Sequence, residues 1–225
     1  MLEANSELTW RDVQHVIANS SKIVDPSNLD WFKNEGGFMH NHNYGFGILN
    51  PAEAVRIAKN WITVPQYKSF TVTNSDVFPI PQGSLLVVPF DKLVSDITFI
   101  EHIESKTNFL FLFYFIFIFI FYFFIFIFYI LFLFFIFFIK VLVKIDHKRT
   151  GELSITLTNE FSTMSMLALP HSDFGAFPAS GWTYGSVRHW GEKVSQTWEL
   201  YITDAKNNAI TGNFLSAQIT FYGHS

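Results

Sequence analysis

Two short stretches place imidazoles where chemistry could follow. His40-Asn41-His42-Asn43 spaces two histidines as a His-x-His metal pair, and Val187-Arg188-His189-Trp190-Gly191-Glu192 sets an imidazole three residues from a carboxylate. A His-x-His pair needs further ligands to close a site. No third ligand is apparent, so residues 40–43 read as a polar loop. Trp190-Gly191-Glu192 reads as a packing and turn motif, with Trp190 and Trp198 as core anchors. His102 and His189 are candidates for pH-dependent behaviour because imidazole titrates near neutrality. His15 falls in the first helix, where a structural role is expected.

Other chemistries are excluded by composition. The chain has no cysteine, so neither a disulfide framework nor a thiolate metal site exists. Its formal charge of −4 and the lack of any basic run give no reason to expect nucleic acid. No segment has EF-hand spacing. A serine hydrolase needs a nucleophile, a base within reach and a carboxylate to orient the base. The chain contains neither Gly-Thr-Ser nor Gly-x-Ser-x-Gly. No catalytic, cofactor-binding or metal-ligating residue is therefore assigned from the sequence. Met1 is followed by Leu2-Glu3-Ala4-Asn5, without the basic and apolar regions of a signal peptide.

The positioning elements fall into two segments. In the first, Thr9-Trp10-Arg11-Asp12 forms a capping box, and Trp10, Val13, Val16 and Ile17 give apolar spacing for a short helix to about Ala18. Asn50-Pro51-Ala52-Glu53 starts a second helix: an N-cap residue, proline at the first position, an acid at the third. Before it, Tyr44-Gly45-Phe46-Gly47-Ile48-Leu49 reads as a glycine turn feeding a short strand. From about Phe70 the pattern changes to short β-rich runs. These are Leu85 to Val88, Ile97 to Ile103, Val141 to Ile145, Leu153 to Leu157, Met164 to Leu169, Trp182 to Val187, Thr197 to Thr203 and Gln218 to Tyr222. Many short strands at this spacing predict a β-sandwich or jelly roll.

These residues also carry a resemblance. Leu8-Thr9-Trp10-Arg11-Asp12-Val13-Gln14-His15 and Tyr44-Gly45-Phe46-Gly47-Ile48-Leu49-Asn50 resemble the end of a kexin/furin-type, subtilisin-like proprotein convertase catalytic domain. Val187-Arg188-His189-Trp190-Gly191-Glu192, Thr197-Trp198-Glu199-Leu200, Arg149-Thr150-Gly151-Glu152-Leu153 and Ile100-Glu101-His102-Ile103 resemble the P (Homo B) domain that follows it. Asn159-Glu160-Phe161-Ser162-Thr163 departs from the family's Ser-Pro-x-Gly-Thr turn, Gln196 from a usual glycine, and Gly185 from a bulky apolar residue.

The resemblance implies a mixed fold: an α/β remnant of a subtilisin-like catalytic domain over residues 1–69, then an all-β jelly-roll P domain over 70–225. It implies a calcium-dependent serine endoprotease that processes secretory precursors at paired basic residues, hence a secretory-pathway location. The nucleophilic serine of the family would stand before Met1, so this chain alone is expected to be inactive and to hold no cofactor of its own. Its implied partner is the catalytic domain of the same polypeptide.

One tract fits none of this. Residues 109–139 contain only Phe, Ile, Leu and Tyr, sixteen of them Phe. The length exceeds the ~20 apolar residues that span a bilayer, and an alternative reading is a non-enzymatic β-sandwich tethered to a membrane by this run. Yet by resemblance the segments on either side are successive pieces of one sandwich, and paired strands about 5 Å apart cannot be split across a bilayer. As a soluble loop it would expose apolar side chains worth about 1.5–3 kcal/mol each. Codons for these four residues are thymine-rich, as is sequence ahead of a splice acceptor. The expectation is that about residues 105–140 are a translated intron rather than native structure.

Overall fold

A computed structural model describes residues 1–90, 93, 95–104 and 141–225, without the side chains of residues 102–104. The Phe-rich tract at 109–139, and with it the choice between intron and membrane anchor, lies outside the described residues. Among the described residues, no helix is long and apolar enough to cross a membrane.

The first segment contains helix α1 (Trp10–Ser20), strands β1 (Ser21–Lys22), β2 (Phe32–Lys33), β3 (Met39–His40) and β4 (Ile48–Leu49), and helix α2 (Pro51–Lys59). Both helix starts follow the sequence signals. Thr9 and Asp12 exchange backbone and side-chain hydrogen bonds as a complete capping box, and the Asn50 side chain accepts from the Glu53 N–H with Pro51 behind it. Gly45 and Gly47 both have positive φ, and a Cβ on Gly47 would run into the Lys22 carbonyl of β1. That close approach lets β4 pair with β1. The helices pack through a small apolar cluster of Leu8, Val16, Ala54 and Ala58.

The second segment is β throughout: β5 (Lys68–Asn74), β6 (Phe78–Ile80), β7 (Leu85–Phe90), β8 (Phe99–Glu104), β9 (Val141–Asp146), β10 (Leu153–Asn159), β11 (Met164–Ala168), β12 (Trp182–Tyr184), β13 (Trp198–Asp204) and β14 (Gly212–His224). One sheet runs β11-β10-β13-β7. The other runs β12-β9-β14-β5, with β6 and β8 also paired to β14. Both sheets send alternate residues inward, which is why β13 alternates buried and half-buried along its length. Val88, Leu153, Ile155, Leu157, Trp198, Leu200 and Ile202 from one sheet meet Val141, Val143, Ile145, Phe214, Ile219 and Phe221 from the other. Two sheets sharing one interior make a sandwich.

The long strand β14 is the spine of its sheet. Along it, Ile219 pairs with Val141 of β9, and the next residue, Thr220, pairs with Glu104 of β8. Thus β8 and β9, far apart in sequence, take up consecutive register positions on one partner.

Candidate functional site

Polar side chains gather along the seam where the helical segment meets the sandwich. On the helical side, α1 presents Arg11 and His15 one turn apart on one face, as i and i+4 spacing requires. On the sandwich side stands Glu101 of β8, buried to 1% exposure. Arg11 grips this carboxylate with two nitrogens, Nε reaching Oε2 at 3.0 Å and an Nη reaching Oε1. A third nitrogen of Arg11 donates to the Pro65 carbonyl at 2.8 Å. His224 Nδ1, from the end of β14, lies 2.8 Å from Glu101 Oε1, and His15 Nε2 lies 3.3 Å from the same oxygen. Burial pushes the Glu101 carboxyl up, but the bonds from His15, Arg11 and His224 outweigh it and hold it well below the usual carboxylate range.

A second cluster is built on Val187–Glu192. This stretch is stitched to β8 by backbone bonds from Ile100 to the Glu192 carbonyl and from Gly191 to the Ile100 carbonyl. Its backbone carbonyls then capture the helical segment. The Asn34 amide donates to the Arg188 and Trp190 carbonyls at 2.8 and 2.9 Å, while its oxygen accepts from the Phe38 N–H. Glu192 is fully buried and takes bonds from Thr163 Oγ1 (2.5 Å), Asn159 Nδ2 (2.7 Å), His189 Nδ1 (3.0 Å) and the Glu35 N–H (3.1 Å). Burial raises its carboxyl, and these donors more than reverse that, so it too is held low. Arg188 reaches Asp30 at 3.3 Å. A Cβ on Gly36 would strike the Trp190 carbonyl, so glycine is what lets this loop lie against the motif.

The seam also buries aromatic surface. Trp190 sits between His15, 4.8 Å away centroid to centroid, and Phe46 at 6.0 Å. Trp198, in contrast, packs in the sandwich interior against Phe221 and His189. Both tryptophans are buried anchors as expected, Trp198 within the sandwich interior and Trp190 at the seam. Their difference follows from their places, since Trp198 opens a strand and Trp190 lies in the turn facing the helices.

The remaining histidines fall as follows. His40 is buried beside Phe46 without a partner for Nδ1, and burial, with Arg188 nearby, pushes it down to about 4. Asn41 closes the loop on Gly45, with its side chain bonded by Asn43 and Tyr44 and to Asn28. Residues 40–43 therefore form a hydrogen-bonded polar loop. The side chain of His102 lies outside the described residues. Arg11, Asn34, Glu101 and His224 were not singled out by sequence spacing. Arg11 and Glu101 are 90 residues apart and Asn34 and Trp190 156, so no local pattern could pair them. The helix face shared by Arg11 and His15 was the one available hint.

What this arrangement does chemically is bind, since every named carboxylate is already saturated by donors on the chain itself. Residues 137–221 match the family model described as Proprotein convertase P-domain. The chain is 29% identical to Proprotein convertase subtilisin/kexin type 7 of Homo sapiens, over 99% of this chain and 25% of that protein. It is 27% identical to the Dibasic-processing endoprotease of Schizosaccharomyces pombe, over all of this chain and 28% of that one. The chain thus spans about a quarter of the length of these curated relatives. In fold it resembles the serine protease of Aeromonas sobria, with a TM-score of 0.74 at 17% identity, over 99% of this chain and 42% of that one.

Proposed function

The chain carries a kexin/furin-type proprotein convertase P domain, and from that premise we propose that it is the non-catalytic end of a serine endoprotease that processes secretory precursors at paired basic residues. The P domain in this reading holds the last part of the catalytic domain in place, and the complete enzyme depends on calcium. Residues 1–69 belong to the catalytic side and residues 70–225 to the P domain. The first strand of the sandwich opens at Lys68, within two residues of that division. The observation that carries the proposal is the seam itself. Arg11 and His15 on one side and Glu101 and His224 on the other bury an ion cluster that neither side could satisfy alone.

By itself the chain is expected not to cleave peptides. The measurement is hydrolysis of a fluorogenic peptide bearing a dibasic site by the purified chain, with calcium present. Turnover abolished by a serine-directed inhibitor would overturn the inactive reading.

We also infer that residues 105–140 are foreign to the domain and derive from an unspliced intron. The register along β14 supports this, because Glu104 and Val141 pair with successive residues of one strand. Joining residue 104 to 141 leaves a single strand with no residue missing or extra. Transcript sequence across this region is expected to lack codons 105–140, and a chain with that deletion should fold and unfold cooperatively. A mature transcript that retains the tract in frame would defeat the inference.

A further inference from the structure

A third polar cluster lies away from the seam and has no part in docking. His147 follows β9, Glu152 sits in the 3₁₀ turn Thr150–Glu152, and Asp204 ends β13. One ligand atom from each lies within 4.8 Å of the others, and all three residues are buried.

Tracing each polar atom to its partner leaves a deficit of positive charge. Asp204 Oδ1 accepts from the Lys206 N–H at 3.0 Å. Glu152 Oε1 accepts from the Asn208 amide at 2.8 Å and from the Arg149 guanidinium at 3.1 Å. Asp204 Oδ2 has only His147 Nε2, at 3.4 Å. Glu152 Oε2 has no partner, in a side chain only 8% exposed. On the far side of the ring, His147 Nδ1 lies 2.9 Å from the Arg149 carbonyl oxygen. The Arg149 N–H also lies 3.1 Å from Nδ1, so either tautomer finds a partner there. In the tautomer with the proton on Nδ1, donated to the carbonyl, the Nε2 lone pair faces the two carboxylates, as in metal-bound histidines.

The separation is informative. A charge-assisted bond between imidazolium and carboxylate runs to about 2.7–2.9 Å, so 3.4 Å is long for a proton between Nε2 and Oδ2. It is close to the spacing of two ligands that each sit about 2.0–2.1 Å from one tetrahedral ion. We propose that His147 Nε2, Asp204 Oδ2 and Glu152 Oε2 form a site for a divalent transition cation of the zinc type. Its fourth position would be filled by water. Calcium suits it poorly, since that ion takes six to eight oxygen ligands, whereas one nitrogen with two carboxylate oxygens suits zinc. A dication balances the two carboxylates, gives Glu152 Oε2 its missing partner and ties the 147–152 turn to the end of β13.

The seam cluster of His15, Glu101 and His224 also brings three such ligand atoms together. There the Arg11 guanidinium already occupies both oxygens of Glu101. Positive charge is in place, and no cation is needed.

The test uses the full chain in detergent, stripped with a chelator and titrated with Zn²⁺ against a chromophoric competitor. One zinc per chain is expected, with affinity at least tenfold weaker in His147→Gln and in Glu152→Gln. His171→Gln, which removes an exposed histidine, should leave affinity unchanged. Circular dichroism reports whether the variants fold. If they do not, Co²⁺ added to the unaltered chain decides, since a tetrahedral nitrogen and oxygen site gives intense visible bands. Absence of stoichiometric zinc, zinc binding indifferent to both substitutions, or only the pale spectrum of hydrated Co²⁺ would each overturn the site.

Discussion

The two regions of this chain are held together by different forces. The sandwich buries a continuous apolar interior around Trp198, Phe214 and Phe221, fed from both sheets. Residues 1–69 gather only Leu8, Val16, Ala54 and Ala58 into a buried apolar cluster. What they bury instead is polar: Arg11, Asp12, His15, Asn34 and His40. So small an apolar cluster does not offset the ordering entropy of such a segment. The lesson is that the sandwich supports itself, whereas the helical segment depends on being captured by it. Ion pairs at such a seam give specificity more than stability, but losing one partner is costly because the other stays buried and uncompensated.

The contrast can be broken at several points. Trp198→Ala should cost the most, about 4–5 kcal/mol, because the side chain is fully buried and packs on Phe221 and His189. Denaturant unfolding should show both regions lost in one transition. A helical segment that outlives the sandwich would refute its dependence. Glu101→Ala should cost about 3 kcal/mol by stranding Arg11. Here the loss should be confined to residues 1–69, seen as faster hydrogen exchange in α1 while β10 and β13 stay protected.

Acid offers a milder probe. His40 has its pKa pushed down from 6.5 to about 4 in the folded chain, so the unfolded chain holds its proton more tightly. Stability from neutral His40 is therefore full above about pH 6.5 and falls as pH drops toward 4, by about 3 kcal/mol in all. Glu101, with its carboxyl held low, keeps its full contribution above the ordinary carboxylate range and loses it progressively as pH falls through and below that range, so the upper part of this window isolates His40. Unfolding measured at pH 7 and pH 5 should differ in the native chain and converge in His40→Gln. The smallest effect sharpens the sandwich side. Ser162 has φ 62, in the turn that carries Thr163 to Glu192, and Ser162→Gly should raise stability by about 0.5–1 kcal/mol in thermal melts.

Much of this architecture could be read locally. The capping box at Thr9 and the Asn50-Pro51 start predicted both helices, because end signals act within one turn of chain. Alternation predicted β10 and β13 nearly to the residue. Strands β5 and β6 were missed. In β5, Phe70 and Val72 alternate with Ser69, Thr71 and Thr73, but they are only half buried, and the short β6 contains Pro79. Strand β12 is shorter than its apolar run suggested, ending at Tyr184, just before Gly185. The Asn159–Thr163 turn departs from the family pattern, yet Asn159 supplies side-chain bonds to Phe161 and Thr163 that hold it.

By itself, then, the sequence determined the elements and their class: two capped helices and a run of alternating strands. Periodicity and capping are properties of neighbours in the chain, so they survive without knowledge of the fold. Tertiary structure alone decided which charges meet. Glu101 finds Arg11, His15 and His224, and Trp190 leaves the sandwich interior for the seam. His147 joins Glu152 and Asp204. Each is a contact between segments brought together by sheet pairing and burial, and a low-dielectric interior gives such meetings their strength.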